Sequence, residues 1–293
     1  MHPRLRILGL FLLLMSIFMA IGWVLGAFLM GDYWWFGLVF FLSIAIAINL
    51  IAYFYSDRII MWSYKAKIAS PKEAPRLYKS VQRVNSFYGL PEPRIAIIPS
   101  ATPNAFATGR NPEKAVVAVT DGLLKILTDR ELDGVVAHEM AHVKNRDVLV
   151  MTVAATVAGA IAFLARMFWF NMLFGRRRGG GDMGMILIVI VVAITAPLAA
   201  LLVRLAISRS REFKADKIGG MTIHRPNDLA DALLKLEKAN KRKPIDKGNP
   251  ASSSLFIVNP FRGNALGRMF ATHPPVKERV KRLRKMATGM VSL

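Results

Sequence analysis

With 293 residues, 54% of them hydrophobic, and a mean hydropathy of +0.37, the chain is too apolar for an ordinary soluble domain. The lack of any cysteine excludes disulfides and thiolate metal sites, so a metal would have to be held by His, Asp or Glu. A formal net charge of +21 would suit a nucleic-acid partner in a soluble protein; beside long apolar runs it reads instead as attraction to anionic lipid, worth about 1 kcal/mol per nearby basic residue, and no nucleic-acid partner is expected.

Ile7 to Met30 and Trp34 to Tyr55 carry no charge, and each exceeds the roughly 20 residues a helix needs to cross a bilayer. A cleaved signal peptide fits the first poorly, because its apolar core is too long and a second span follows at once. Residues 1–56 are therefore read as a membrane hairpin. Arg4 and Arg6 precede it, Arg58, Lys65 and Lys67 follow it, and the Gly31-Asp32-Tyr33 turn has no basic residue, which places the N-terminus and everything after Tyr55 in the cytoplasm. Trp34, Trp35, Tyr53 and Tyr55 suit the interfacial belts.

Residues 57–147 read as the first part of a catalytic domain. Ser70-Pro71-Lys72-Glu73 has the form of a capping box opening a helix, with Leu77, Val81 and Val84 on its inner face and Gly89 before Pro91 at its end. Arg94 to Ile98 and Ala115 to Val119 read as strands. The P-N-A-F-A-T-G-R-N-P segment between them is a hairpin connection or a short edge strand. Gly122 to Leu127 is a helical turn, and Thr128-Asp129-Arg130-Glu131 is a second capping box, starting a helix through Leu132, Val135 and Val136.

Residues 148–207 form a second apolar pair: Val148 to Phe174, interrupted by Arg166, and Gly184 to Ile207, interrupted by Arg204. Full crossing would put the loop with Arg176, Arg177 and Arg178 outside, against the positive-inside rule, so the hairpin either crosses twice or dips and returns. Arg166 reads as a side chain that snorkels or packs within the bundle, and Pro197 as a kink. Residues 208–293 are soluble-like: Arg225 to Lys241 presents Leu229, Leu233 and Leu236 on one face, Arg242 to Thr272 is loop-rich, and Val276 to Ala287 is a basic helix.

The chemistry is concentrated in A-H-E-M-A-H, where His138 and His142 share one helix face and Glu139 points to its side, the geometry of a metal site with an adjacent general base. A catalytic zinc needs a third protein ligand. His2 lies at the terminus and His224 in a short loop, which leaves Glu212 and Asp216, a second i, i+4 pair, to supply a ligand and a partner for a histidine's other nitrogen. His142 and Glu212 flank two apolar segments, so the two halves can meet on one face of the membrane.

H-E-M-A-H, a membrane hairpin and R-E-F-K-A-D, with N-A-F-A-T-G upstream and T-H-P-P downstream, resemble the integral-membrane zinc endopeptidases that include the CAAX prenyl endopeptidases, and most closely their HtpX branch. The triple-arginine, triple-glycine loop departs from that pattern. The resemblance implies a mostly α chain with four hydrophobic segments and a cytoplasmic α+β zincin-like domain, multi-pass in a prokaryotic inner membrane. It implies one zinc per chain held by His138, His142 and Glu212, Glu139 as general base, Asp216 as support, His273 and Arg279 as oxyanion donors, and Asn104, Ala105, Phe106 and Ala107 along the substrate cleft. His273 read alone serves equally well as a turn residue before two prolines, and Arg279 belongs to a run that can be a solvated basic face. An exposed edge at Asn104 to Thr108 or Ala115 to Val119 could take up extended substrate. The function expected is cleavage of unfolded or misassembled membrane proteins in quality control and stress response. A silent membrane scaffold with a structural zinc is the alternative, against which stands Glu139, a residue such a site does not need. The sequence carries no signal for the oligomeric state.

Overall fold

The computed structural model describes residues 3–174, 208–244, 255–260 and 273–289. The chain is mostly helical. Helix α1 (Pro3–Met30) and helix α2 (Trp34–Ser63) form a hairpin through a short 3-10 turn at Gly31–Tyr33. Their windows Leu5–Val24 and Gly31–Ser63 are long and apolar enough to cross a membrane. Glycines let the two backbones approach: a Cβ on Gly22 would stand 2.7 Å from the Gly37 carbonyl oxygen, and one on Gly37 2.6 Å from that of Gly22. Leu8, Trp23, Phe40, Leu50 and Phe54 are exposed on the outside, as lipid-facing residues would be. Helix α2 continues past Tyr55 and through the boundary expected at residue 56.

The sheet, four-stranded among the described residues, comprises β1 (Lys67–Ile68), β2 (Arg94–Ile98), β3 (Ala105–Thr108) and β4 (Val116–Thr120), in the order β1-β2-β4-β3. β2 and β4 run parallel, and the other two pairs are antiparallel. β4 is buried along its whole length, which explains its Val-Val-Ala-Val run: it is a central strand covered on both faces. Alternation then sorts side chains between two cores. Ile95, Ala105, Ala107, Val117 and Val119 join the soluble helices, while Ala96, Ile98, Phe106, Val116 and Ala118 join Leu10, Leu14 and Ile60 of the hairpin and Val150 to Ala158. The sheet is thus a partition between a polar-side core and a membrane-side core.

Helix α3 (Pro75–Tyr88) starts later than the sequence suggests. The box at Ser70 does form, with the Ser70 amide donating to Glu73 Oε2 at 2.7 Å, but the turn ends there. Ala74 precedes a proline, is held out of the helical region at φ −132°, and so marks the true start. Gly89 closes α3 with φ +61°, a left-handed conformation suited to glycine. Helix α4 (Asp121–Ile126) leads into α5 (Asp129–Lys144), whose Thr128–Glu131 capping box forms in both directions. Helix α6 (Asp147–Phe174) follows, then α7 (Arg209–Thr222), α8 (Pro226–Arg242) and α9 (Val276–Ala287), the last with the bounds read from the sequence. Gly184 to Ile207, the arginine-rich loop, Pro197 and the Arg166 side chain lie outside what is described, and with them the question of a second crossing.

Candidate active site

Buried from Glu131 to Val143, α5 lies between the sheet and the later helices. Its histidines meet edge to face one turn apart, with ring centroids 4.8 Å apart at 87°. Helix α7 packs against α5 at Gly219, where a Cβ would stand 2.9 Å from the His138 amide nitrogen. This close approach brings Glu212 and Asp216 to the histidines. Glu212 Oε1 lies 3.5 Å from His142 Nε2, and Oε2 lies 3.9 Å from His138 Nε2.

Those separations are long for hydrogen bonds. They are close to the roughly 3.4 Å expected between two donors bound tetrahedrally at about 2.1 Å to one cation. Candidate donor atoms of His138, His142 and Glu212 all lie within 4.8 Å of one another, and all three residues are buried. Glu212 Oε1 is buried without a hydrogen-bond partner, the kind of orphan a cation would satisfy. Two nitrogens and one carboxylate oxygen are also the donor set of a catalytic zinc. The residues present therefore fit the metal.

A carboxylate behind His138 fixes its orientation, and a second lies near His142. His138 Nδ1 is 3.0 Å from Asp216 Oδ1, which turns Nε2 to Glu212, and His142 Nδ1 faces Asp147 Oδ2 at 3.6 Å. Burial, with the charges of Arg279 and His142, pushes His138 down to about 4, so it stays neutral. Against the effect of burial, the charge and hydrogen bonds of Arg279 draw Asp216 down to about 2. Burial, with the charge of Glu212, lifts Glu139 to about 7, although the Ala107 amide donates to its carboxylate. The Glu212 carboxylate, ionised in spite of its burial, favours a cation.

His273 sits on the same carboxylate, its Nδ1 2.8 Å from Glu212 Oε2, with its Nε2 buried and without a hydrogen-bond partner. Arg279 is arranged differently from the expectation. Its Nε and Nη2 fork onto Asp216 at 2.8 and 2.7 Å, and its Nη1 donates to the Ile257 carbonyl at 2.7 Å. A fully buried guanidinium needs a carboxylate, and this one braces the residue that orients His138.

The expected cleft residues divide between two tasks. Ala107 reaches Glu139. Asn104, fully buried, donates to the Val258 carbonyl at 2.6 Å, and the Ile257 amide donates to the Ala105 carbonyl at 3.1 Å, so residues 255–258 run beside β3. Phe106 points to the opposite face and packs against Phe256, with centroids 5.5 Å apart. Sequence reasoning missed Asp147 and the 255–258 segment. Asp147 had a signal: a carboxylate directly before a long apolar run, just after the motif.

A buried two-histidine, one-glutamate site with a neighbouring glutamate, beside helices of membrane length, defines a membrane metalloendopeptidase. The chain belongs to peptidase family M48, whose model matches residues 71–287. It is 47% identical to a protease HtpX homolog of Thermococcus sibiricus, over 94% of each chain. It is 53% identical to one from Thermococcus kodakarensis, over 83% of this chain and 84% of that one, and 48% identical to one from Syntrophobacter fumaroxidans, over 85% and 90%. The crystal structure of S. mikatae Ste24p aligns at 21% identity and a TM-score of 0.48, covering 92% of this chain and 62% of that one.

Proposed function

We propose that the chain is a zinc-dependent endopeptidase of a prokaryotic inner membrane that cuts misfolded or misassembled membrane proteins at the cytoplasmic face. The observation carrying this reading is the convergence of the buried His138, His142 and Glu212 beside Glu139. Residues 57–147 and 208–293 then form one catalytic domain, and residues 148–207 are a membrane detour between its halves.

His138 Nε2, His142 Nε2 and a Glu212 oxygen would hold the zinc. Bound there, zinc supplies a Lewis acid that polarises the peptide carbonyl and acidifies water. Glu139 takes the proton from the attacking water and returns it to the leaving amine, a task suited to a carboxyl group poised near neutrality. The Ala107 amide holds that carboxylate in place. His273, with its Nε2 unused by the protein, is assigned as donor to the developing oxyanion. Arg279 acts through Asp216 on His138 instead of on the substrate, and Asp147 does the same for His142. Asn104 and Ala105 fix residues 255–258 as one wall of the cleft.

The test is metal analysis with a cleavage assay on an unstructured protein. Glu139→Gln should keep the metal and lose roughly two to four orders of magnitude in rate. Cleavage at the wild-type rate by that variant overturns the mechanism.

A further inference from the structure

Beside Asp147, which faces His142, lies a cavity of about 550 Å³ that none of the proposed catalytic steps occupies. Three separate chain segments build it: Arg6 from α1, Asn145 and Asp147 from the junction of α5 with α6, and Ser208, Ser210, Arg211 and Lys214 from the start of α7. Its lining carries three cations, Arg6, Arg211 and Lys214, against the single carboxylate of Asp147, which is already paired to Arg211 and lies 3.9 Å from Arg6. The remaining lining is hydrogen-bonding. Ser208 and Ser210 share a bond of 2.8 Å, Ser208 does not cap α7 with its side chain, and the Asn145 amide nitrogen is buried without an acceptor. A pocket with surplus positive charge, a pair of hydroxyls bonded only to each other by their side chains and an unsatisfied amide donor suits a ligand that is anionic and accepts several hydrogen bonds.

The depth of the pocket narrows the choice. Arg6 stands at the beginning of the apolar window Leu5–Val24, Asp147 is the first residue of α6, and Ser208 directly follows the apolar segment that ends at Ile207. All three are points where the chain passes between polar and apolar surroundings, which is the level of lipid headgroups. We propose that this pocket binds the phosphate of an anionic lipid headgroup, with Arg6, Arg211 and Lys214 as charged contacts and Ser208, Ser210 and Asn145 as hydrogen-bonding ones. An occupied pocket ties α1, α6 and α7 together at one point. That point matters to the metal site, because Arg211 precedes Glu212 in the chain and Asp147 faces His142 Nδ1.

The full chain in nanodiscs provides the test, with thermal unfolding and native mass spectrometry as readouts. Nanodiscs containing phosphatidylglycerol should raise the unfolding temperature above that in phosphatidylcholine alone, and a phosphatidylglycerol molecule should stay bound on release. Lys214→Gln should weaken that retention about fivefold, while Lys281→Gln, equally exposed but outside the pocket, should change it less than about twofold. Equal losses for the two variants would show a general surface attraction and overturn the pocket. Absence of a phosphatidylglycerol preference, or equal stabilisation by inorganic phosphate in phosphatidylcholine nanodiscs, would overturn the lipid assignment.

Discussion

The two halves of the metal site are built on different principles. The α5 half is local: one capped helix carries His138, Glu139 and His142, and helical spacing alone puts them on adjacent faces. The α7 and α9 half is assembled: helical spacing pairs Glu212 with Asp216 on α7, but His273 and Arg279 reach them only through packing, and buried charges hold one another in place. A local half can be read and altered one residue at a time. An assembled half fails as a unit, because removing one partner strands another charge in the interior.

The sharpest way to break this contrast is Arg279→Met. It leaves Asp216 buried without its guanidinium, so we expect a loss of about 3–5 kcal/mol in stability, read as a lower denaturation midpoint in detergent. Arg279→Met combined with Asp216→Leu should recover much of that stability without restoring zinc affinity, since His138 has lost its carboxylate. Next in size is Asp147→Asn. It should weaken zinc binding roughly 10- to 100-fold in a chelator competition. On the local side, Thr128→Ala removes the cap of α5 and should cost about 1 kcal/mol with zinc stoichiometry unchanged.

A further effect is a pH dependence at the contact between α3 and α5. The Tyr88 hydroxyl donates to the Ala137 carbonyl at 2.7 Å, and burial pushes its pKa up to about 12. Its folded-state pKa therefore exceeds the unfolded value of about 10. The contribution is complete below about pH 10 and is lost as pH rises towards 12. Denaturant midpoints measured across that window should fall more steeply for wild type than for Tyr88→Phe.

What was legible in the sequence follows the same division. The α5 capping box, the bounds of α9 and the strand Arg94–Ile98 rest on local spacing and turn chemistry, and they stand as read. Glu212 was legible because the i, i+4 pair repeats the logic of the first motif. The placement of Arg279 was not, since nothing within its basic run says that one guanidinium turns inward to a carboxylate on another helix. Phe106 shows the cost of treating N-A-F-A-T-G as one surface: the strand pleat sends it to the membrane-side core while Ala105 and Ala107 face the other way. The start of α3 was misplaced for a local reason, the restriction Pro75 imposes on Ala74.

The central claim is that residues from both halves hold one cation, and metal content tests it most directly. Purified wild type and Glu139→Gln should each carry about one zinc per chain, and Glu212→Ala should carry almost none while remaining folded by circular dichroism. Stoichiometric zinc in folded Glu212→Ala would contradict the account.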